Sequence, residues 1–409
     1  MSSLRYRPMR ILWAKTDFLH PATRGGQIRT LEMLRCLHRR HEVHYVCLND
    51  GASDEGKARC GEYCTAAYSV HHVAPPRGSM HFGAQVAAGL VSRLPVAVAR
   101  YRSSAMQRRI RELLAMLPFD ALVCDFLFPS PNIPDISRAV LFQHNVEAAI
   151  WRRHAALTNG RATRWYLWSQ ARRMEAYERE VCRAAGHVIA VSEADERQMR
   201  ERYGVSRISH VSTGVNLDYF KPPAEAERKA DLVFVGSMDW LPNVDAALFF
   251  AEQVLPQIRE RLPWCKVAIV GRKPDRSVEQ LASRDSKLIV TGTVSDVRPW
   301  LWGSLAAVVP LRIGGGTRLK IFEAMAAHLP VVSTTVGAEG LPVTSGRHLT
   351  IEDDPARFAA ACIELVEQEA RRRQLADNAW ELVSTRFSWE AVTREFEEIL
   401  AAAPRPGVD

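Results

Sequence analysis

An α/β fold of two doubly wound, Rossmann-like domains facing a central cleft is predicted by three observations. Short apolar strands alternate with helical segments, several strands run straight into a glycine, and the alternation starts afresh about halfway along the chain. The composition agrees. The 409 residues are 47% hydrophobic and 24% charged, which excludes disorder, collagen and low complexity. At roughly 150 residues per domain, the length suits two domains or one large one.

The elements follow in order. A buried strand is expected over 10–14, then a loop, His20-Pro21-Ala22-Thr23-Arg24-Gly25-Gly26. A helix over 27–40 would place Ile28, Leu31, Leu34 and Leu37 on one face. A strand over 43–48 completes a strand–glycine loop–helix–strand unit, the start of a parallel sheet. Further strands are expected over 121–125, 139–143 and 187–191, the last running into Ser192 as a helix cap. A break comes at Ser212-Thr213-Gly214-Val215-Asn216 and Lys221-Pro222-Pro223. The second series has strands over 231–235 and 267–270, ending in Gly236 and Gly271, with a helix after Pro242-Asn243 between them. Strands over 288–290, 306–309 and 331–333 continue it. Residues 370–402 read as helix and 404–409 as a frayed tail.

Net charge is +8, unevenly spread: residues 1–214 carry an excess of twelve positive charges and 215–409 an excess of four negative ones. A basic half suits a phosphate-bearing ligand, an anionic membrane surface or nucleic acid; a solvated arginine surface is the alternative. Residues 150–183 interleave Trp151, Trp165, Tyr166 and Trp168 with Arg152, Arg153, Arg161, Arg164, Arg172 and Arg173. That pattern fits a membrane interface, or a long helix packing its aromatics on the sheet. No nucleic-acid motif accompanies it. The best spanning candidate, 83–99, is interrupted by Arg93 and falls short of ~18 apolar residues. The apolar run after the basic residues 1–10 is too short for a signal-peptide core, so a cytoplasmic protein is expected. The eight cysteines are scattered. Cys60 and Cys64, with His71 and His72 nearby, lack the spacing of a zinc site, so no metal is expected.

Ligands of doubly wound sheets bind beyond the carboxyl ends of the strands, so the loops there hold the candidate chemistry. The sharpest is Pro310-Leu311-Arg312-Ile313-Gly314-Gly315-Gly316-Thr317-Arg318-Leu319-Lys320-Ile321-Phe322-Glu323. Gly314, Gly315 and Gly316 let backbone N–H groups approach an anion, and a helix start adds favourable partial charge. Arg318 and Lys320 supply full positive charges, and Glu323 can accept hydrogen bonds from sugar hydroxyls. A glycine turn with a solvated basic helix start is the alternative. The loop is not a Walker A motif, because Gly-Lys-[Ser/Thr] is missing. In the first half, Arg24, Gly25 and Gly26 precede a helix and could meet phosphate or acceptor.

This segment, with His328-Leu329-Pro330-Val331-Val332-Ser333-Thr334 and Gly337, resembles the donor-binding signature of the retaining glycosyltransferase family 4, of the GT-B fold. The resemblance covers nearly the whole chain. Gly25-Gly26 resembles the family's N-terminal glycine loop. Thr213-Gly214-Val215-Asn216 with Phe220-Lys221-Pro222 resembles its interdomain linker, and Val290-Thr291-Gly292-Thr293-Val294 with Asp296-Val297 its base-binding strand and turn. Arg386-Phe387-Ser388-Trp389 resembles the start of its closing helix. Val235-Gly236-Ser237-Met238-Asp239-Trp240 with Pro242-Asn243 and Asp245 further resembles a subgroup linked to exopolysaccharide gene clusters. Two positions depart from the family: Gly315 stands where the first of two glutamates is usual, Glu323 matching the second, and Ser237 replaces a usual arginine.

The resemblance implies an acceptor domain over 1–214, a nucleotide-sugar domain over 215–385, and a helix over 386–409 that returns to the first domain. It implies a hexosyltransferase that retains anomeric configuration, with no cofactor and no obligatory metal. The acceptor would be a glycan or lipid-linked oligosaccharide in exopolysaccharide or cell-surface polysaccharide assembly, reached by peripheral contact with an anionic inner membrane face. Donor-binding roles fall to Gly236, Arg272, Val294, Gly314, Gly315, Gly316, Thr317, Arg318, Lys320 and Glu323. His144, after the strand over 139–143, would join Glu323 as catalytic, bonding the sugar or the developing charge. A loop histidine helping to cap the following helix is the alternative for His144, and a solvated turn that for Arg272. Two other functions remain open at this point: a sugar-nucleotide epimerase of the same fold, and a non-catalytic subunit that binds nucleotide sugar.

Overall fold

The computed structural model describes residues 7–22, 25–51, 54–73, 92, 94–157, 160–313 and 319–407. The chain divides into two compact units. The first comprises Met1–Ser212 with Val392–Asp409, and the second Thr213–Ala391.

The first unit is built on a seven-stranded parallel sheet. Its strands are β1 (Arg10–Lys15), β2 (Glu42–Asn49), β3 (Ala66–His71), β4 (Ala121–Asp125), β5 (Val140–Phe142), β6 (His187–Ala190) and β7 (Ile208–His210). Their order is β3-β2-β1-β4-β5-β6-β7. The central strands are buried on both faces, and for that reason they read as unbroken apolar runs. One face packs Leu12, Val46, Leu122 and Leu141 into a core with the helices on that side. The other packs Ile11, Trp13, Tyr45 and Phe142 against Leu31, Leu34 and Leu37 of the helix Gly25–His38, and against Phe396.

That helix departs from expectation at its start. Ile28, expected on the core face, is 38% exposed, while Arg29 and Thr30 are buried. The reason is chemical: Arg29 and Thr30 reach polar groups at the strand ends, which turns the first turn's apolar residue outward.

The second unit holds a six-stranded parallel sheet: β8 (Leu232–Val235), β9 (Val267–Val270), β10 (Leu288–Val290), β11 (Ala306–Val309), β12 (Val331–Ser333) and β13 (Thr350–Ile351). Its order is β10-β9-β8-β11-β12-β13. Both sheets therefore reverse direction beside their first strand, at β1/β4 and at β8/β11. These are the switch points at which open α/β sheets bind ligands.

Helix ends follow the capping chemistry. The Ser192 side chain accepts from the Asp195 amide at the start of Glu193–Tyr203, as expected. The region read as one helix over 370–402 is two, Glu369–Arg386 and Trp389–Ala402. Ser388 stops the first and caps the second, its Oγ accepting from the Ala391 amide at 3.2 Å. The region over 150–183 likewise splits between two helices, Glu147–Leu157 and Arg161–Ala184. Trp151 packs against the first unit's core, whereas Trp165 and Trp168 stay 66% and 41% exposed. The eight cysteines are free thiols. Among the described residues, no helix is long and apolar enough to cross a membrane.

Candidate functional site

In the first unit the switch point gathers a buried polar cluster. β1 ends in Lys15, β4 ends in Asp125, and His144 stands two residues beyond β5. Asp125 is fully buried. Its Oδ2 accepts from Trp13 Nε1 at 2.8 Å, Lys15 Nζ at 2.9 Å and Thr30 Oγ1 at 2.7 Å. Its Oδ1 lies 2.5 Å from His144 Nε2. Burial alone would raise the Asp125 pKa, but Lys15 and His144 outweigh it and hold the carboxyl well below the usual range. Burial pushes the His144 imidazole down to about 4, Asp125 only partly opposing it. Around neutral pH the cluster thus holds a carboxylate and a neutral imidazole.

The ring of His144 is wedged between aromatics. Phe126 meets it edge-on at 5.3 Å between centroids, and Phe142 lies 4.8 Å away. Phe126 has φ +82°, a conformation that costs a bulky residue of order 1–3 kcal/mol and that concentrates at functional sites. His144 Nδ1 is buried with no protein hydrogen-bond partner among the described residues. A Cβ placed on Gly26 would stand 3.7 Å from it, so the glycine at the start of the helix Gly25–His38 keeps a side chain away from Nδ1.

The helix-capping alternative for His144 fails. The following helix is capped by Glu178, whose carboxylate accepts from the amides of Glu147 at 2.9 Å and Ala148 at 3.1 Å. Tyr203 donates to the same group at 2.8 Å. Arg29 braces the other side. Its guanidinium donates to the Gln143 carbonyl at 3.2 Å and the Val211 carbonyl at 2.5 Å, and it lies 4.3 Å over the Phe142 ring. Burial lowers its pKa to about 9.

The second unit repeats the plan with other residues. A Cβ on Gly271, just past β9, would stand 1.6 Å from the Gly236 carbonyl oxygen. Glycine there lets the ends of β8 and β9 come together. A Cβ on Gly236 would stand 2.8 Å from Asn243 Nδ2 and 3.1 Å from Lys320 Nζ. Lys320, on the helix Leu319–Ala326, donates to Asn243 Oδ1 at 2.7 Å, and Asn243 donates to the Ser237 carbonyl at 2.9 Å. Lys320 Nζ also lies 4.9 Å over the Phe234 ring. One turn along, Glu323 is half-buried, and burial raises its pKa to about 6 against the pull of Lys320.

The structure thus brings Gly236, Lys320 and Asn243 together at β8, with Glu323 on the same helix. Arg272 is exposed, its Nε 3.9 Å from Asp239 Oδ1, and Val294 is half-buried against the unit's core. Arg312, beyond β11, forks onto Asp245 at 2.6 and 3.1 Å. Gly314, Gly315, Gly316, Thr317, Arg318 and Arg24 lie outside the described residues. Gly25 and Gly26 open their helix as placed above. Cys64 donates its thiol to the Cys60 carbonyl. Among the described residues no three His, Cys, Asp or Glu side chains gather as metal ligands. Sequence reasoning missed Asp125, Lys15, Thr30 and Arg29. The available signal was a charged residue ending an otherwise apolar strand, at Lys15 and again at Asp125.

Comparison with known proteins agrees with this architecture. The profile described as "Glycosyl transferases group 1" matches residues 229–368, and that described as "Glycosyltransferase Family 4" matches 23–219. An uncharacterized 44.6 kDa protein in the cps region of Klebsiella pneumoniae is 22% identical over 94% of this chain and 97% of its own. D-inositol 3-phosphate glycosyltransferase 2 of Catenulispora acidiphila is 29% identical over 52% of this chain, a stretch that spans 55% of that relative. Among solved structures, Anabaena Alr3699/HepE in complex with UDP and glucose superposes with TM-score 0.63 at 14% identity, covering 96% of this chain and 100% of that one.

Proposed function

The chain belongs to the family-4 glycosyltransferases of the GT-B fold and is a hexosyltransferase-type enzyme, and on that premise we propose that it transfers a sugar from a nucleotide-sugar donor to a glycan or lipid-linked oligosaccharide acceptor, retaining anomeric configuration, in exopolysaccharide or cell-surface polysaccharide assembly. The observation that carries the donor assignment is the cluster at β8. There Gly236 and Gly271, lacking side chains, let the ends of β8 and β9 close up against the ammonium of Lys320, which Asn243 aims. Lys320, with Arg318 and the glycines of 314–316, takes the diphosphate charge, and Glu323 accepts hydroxyls of the donor. Arg272 and Val294 serve the nucleotide. His144 engages the sugar, while Gly25, Gly26 and Arg24 serve acceptor or phosphate. The cps-region relative and the UDP-bound neighbour support this reading.

A panel of nucleotide sugars in thermal-shift assays tests it, because a ligand of the folded state raises apparent stability. A binding donor should then release free nucleotide on turnover with a glycan acceptor, and the product's anomeric configuration should match the donor's. No shift with any nucleotide sugar would overturn the donor assignment, and epimerised donor without transfer would favour an epimerase. The reading includes no metal or cofactor, so turnover should be unchanged in EDTA.

The acceptor side carries a further part of the proposal. Arg161, Trp165, Trp168 and Arg172 line one exposed stripe of the helix Arg161–Ala184 at helical spacing. We assign this stripe to peripheral contact with an anionic, cytoplasm-facing membrane surface that presents the lipid-linked acceptor.

A further inference from the structure

An imidazole can face a ligand as a cation, as an N–H donor or as a lone-pair acceptor, and each form recognises different chemistry. We propose that Asp125 is a positioning residue that holds His144 as the neutral tautomer protonated on Nε2, so that Nδ1 faces the space above Gly26 as an acceptor for a substrate hydroxyl. The proposal rests on the sugar-transfer reading for the identity of that hydroxyl, but not for the tautomer.

The assignment follows from a count of donors and acceptors. Asp125 as a carboxylate can only accept. Its Oδ2 is engaged by Trp13, Lys15 and Thr30. Among the described residues its Oδ1 bonds a single group, His144 Nε2, at 2.5 Å. A lone pair on Nε2 would there oppose a carboxylate lone pair, so Nε2 carries the proton. A neutral ring then leaves the lone pair on Nδ1, the buried atom without a protein partner among the described residues.

The charged groups around the ring come from three elements: Lys15 on β1, Asp125 on β4 and Arg29 on the helix Gly25–His38. Lys15 donates to Asp125 and the two terminal nitrogens of Arg29 donate to backbone carbonyls, and neither cation donates to Nδ1. Phe126 and Phe142 fix the ring plane, and Gly26 places no side chain against Nδ1. A lone pair held there repels phosphate and carboxylate oxygens and accepts from a hydroxyl. The site therefore favours a hydrogen-bond donor over an anionic oxygen.

Protein labelled with nitrogen-15 in its imidazoles tests the proposal without any substrate. A spectrum of His144→Gln identifies the His144 signals by their loss. The wild type should show the Nε2-protonated neutral pattern at pH 7 and still at pH 5.5. Asp125→Asn, whose amide can donate to Nε2, should shift that pattern toward the Nδ1-protonated tautomer. With a UDP-sugar found to be a donor, Asp125→Asn should lower kcat by about 100-fold or more while UDP affinity stays within about threefold. An Nδ1-protonated or cationic ring in the wild type at pH 7 overturns the proposal, and that measurement stands even where Asp125→Asn fails to fold. An unchanged tautomer with normal kcat in a folded Asp125→Asn overturns it too. Absence of transfer by the wild type with every nucleotide sugar would count against the sugar-transfer reading alone, since the tautomer is read in the free protein.

Discussion

Glu147 and Glu178 are two buried carboxyl groups at the start of the helix Glu147–Leu157, and they respond differently to burial. Burial, then the neighbouring Glu178, pushes Glu147 up to about 8, while Glu178 is raised only to about 6 because backbone amides and Tyr203 stabilise its charge. An unfolded chain releases the Glu147 proton near 4.5, so between pH 4.5 and 8 the folded state binds more protons and stability falls as pH rises. Glu147→Gln removes that loss. It should stabilise the protein by about 2 kcal/mol or more at pH 8 and by about 1 kcal/mol or less at pH 5, read by denaturant titration at both values. A gain equal at both pH values would show that Glu147 is not held protonated. His144 has the opposite sign. Its folded pKa of about 4 lies below the ordinary 6.5, so its contribution to stability is present above 6.5 and is lost as pH falls towards 4.

The cluster at β8 proposed to bind the donor makes its own demand at this scale. Lys320→Ala removes the ammonium that Asn243 aims and should weaken UDP binding by about 2 kcal/mol, with little change in melting temperature. Calorimetric titration reads the first and thermal unfolding the second. The sequence singles out His144 and Lys320, because each follows a strand or opens a helix next to glycines. Asp125 and Lys15 were not read as a site. They are 110 residues apart, and only the β1/β4 neighbour relation places them 2.9 Å from each other.

Among the elements, legibility followed burial. The interior strands are apolar on both faces, and β4, β9, β11 and β12 lie where the sequence predicts them; the edge strand β10 does too, because its three residues are all apolar. The missed strands β3, β7 and β13 are all edges of their sheets. β3 alternates half-buried and exposed residues, and β13 has two residues, so neither shows an apolar run. The 369–402 region misled for another reason. Helical spacing continues through Phe387-Ser388, and only the capping hydroxyl of Ser388 marks the break. The glycine beyond β9 binds two elements together: Gly271→Ala drives a methyl group into the Gly236 carbonyl. Because that neighbour is backbone, the strand ends must part, at a cost of about 3 kcal/mol or more. Thermal unfolding should show the loss, and UDP binding should weaken with it. A variant with unchanged melting temperature and affinity would show that the two strand ends separate freely.

At the scale of the whole molecule, charge and exposed aromatics distinguish the two halves of the chain. The excess of twelve positive charges falls in residues 1–214, the half that also carries the exposed Trp165 and Trp168. Scattered arginines alone would be a solvated surface. Here Arg161, Arg164 and Arg172 are exposed on the same helix as the two tryptophans, so one surface combines attraction to anions with aromatic rings suited to the headgroup region. Each Lys or Arg close to an anionic surface contributes about 1 kcal/mol, and that attraction fades over a Debye length of ~8 Å at physiological salt. No described helix can cross a membrane, so attachment through this stripe would be weak and reversible. Co-sedimentation should recover the protein with phosphatidylserine-containing vesicles at low salt, and much less with neutral vesicles or at high salt. Trp165→Ser with Trp168→Ser should reduce recovery on anionic vesicles at least several-fold while leaving UDP affinity unchanged, because both substitutions lie in the first unit and the donor cluster in the second. Equal, negligible recovery with both vesicle types at low salt would reject membrane contact and leave a soluble glycan as the acceptor.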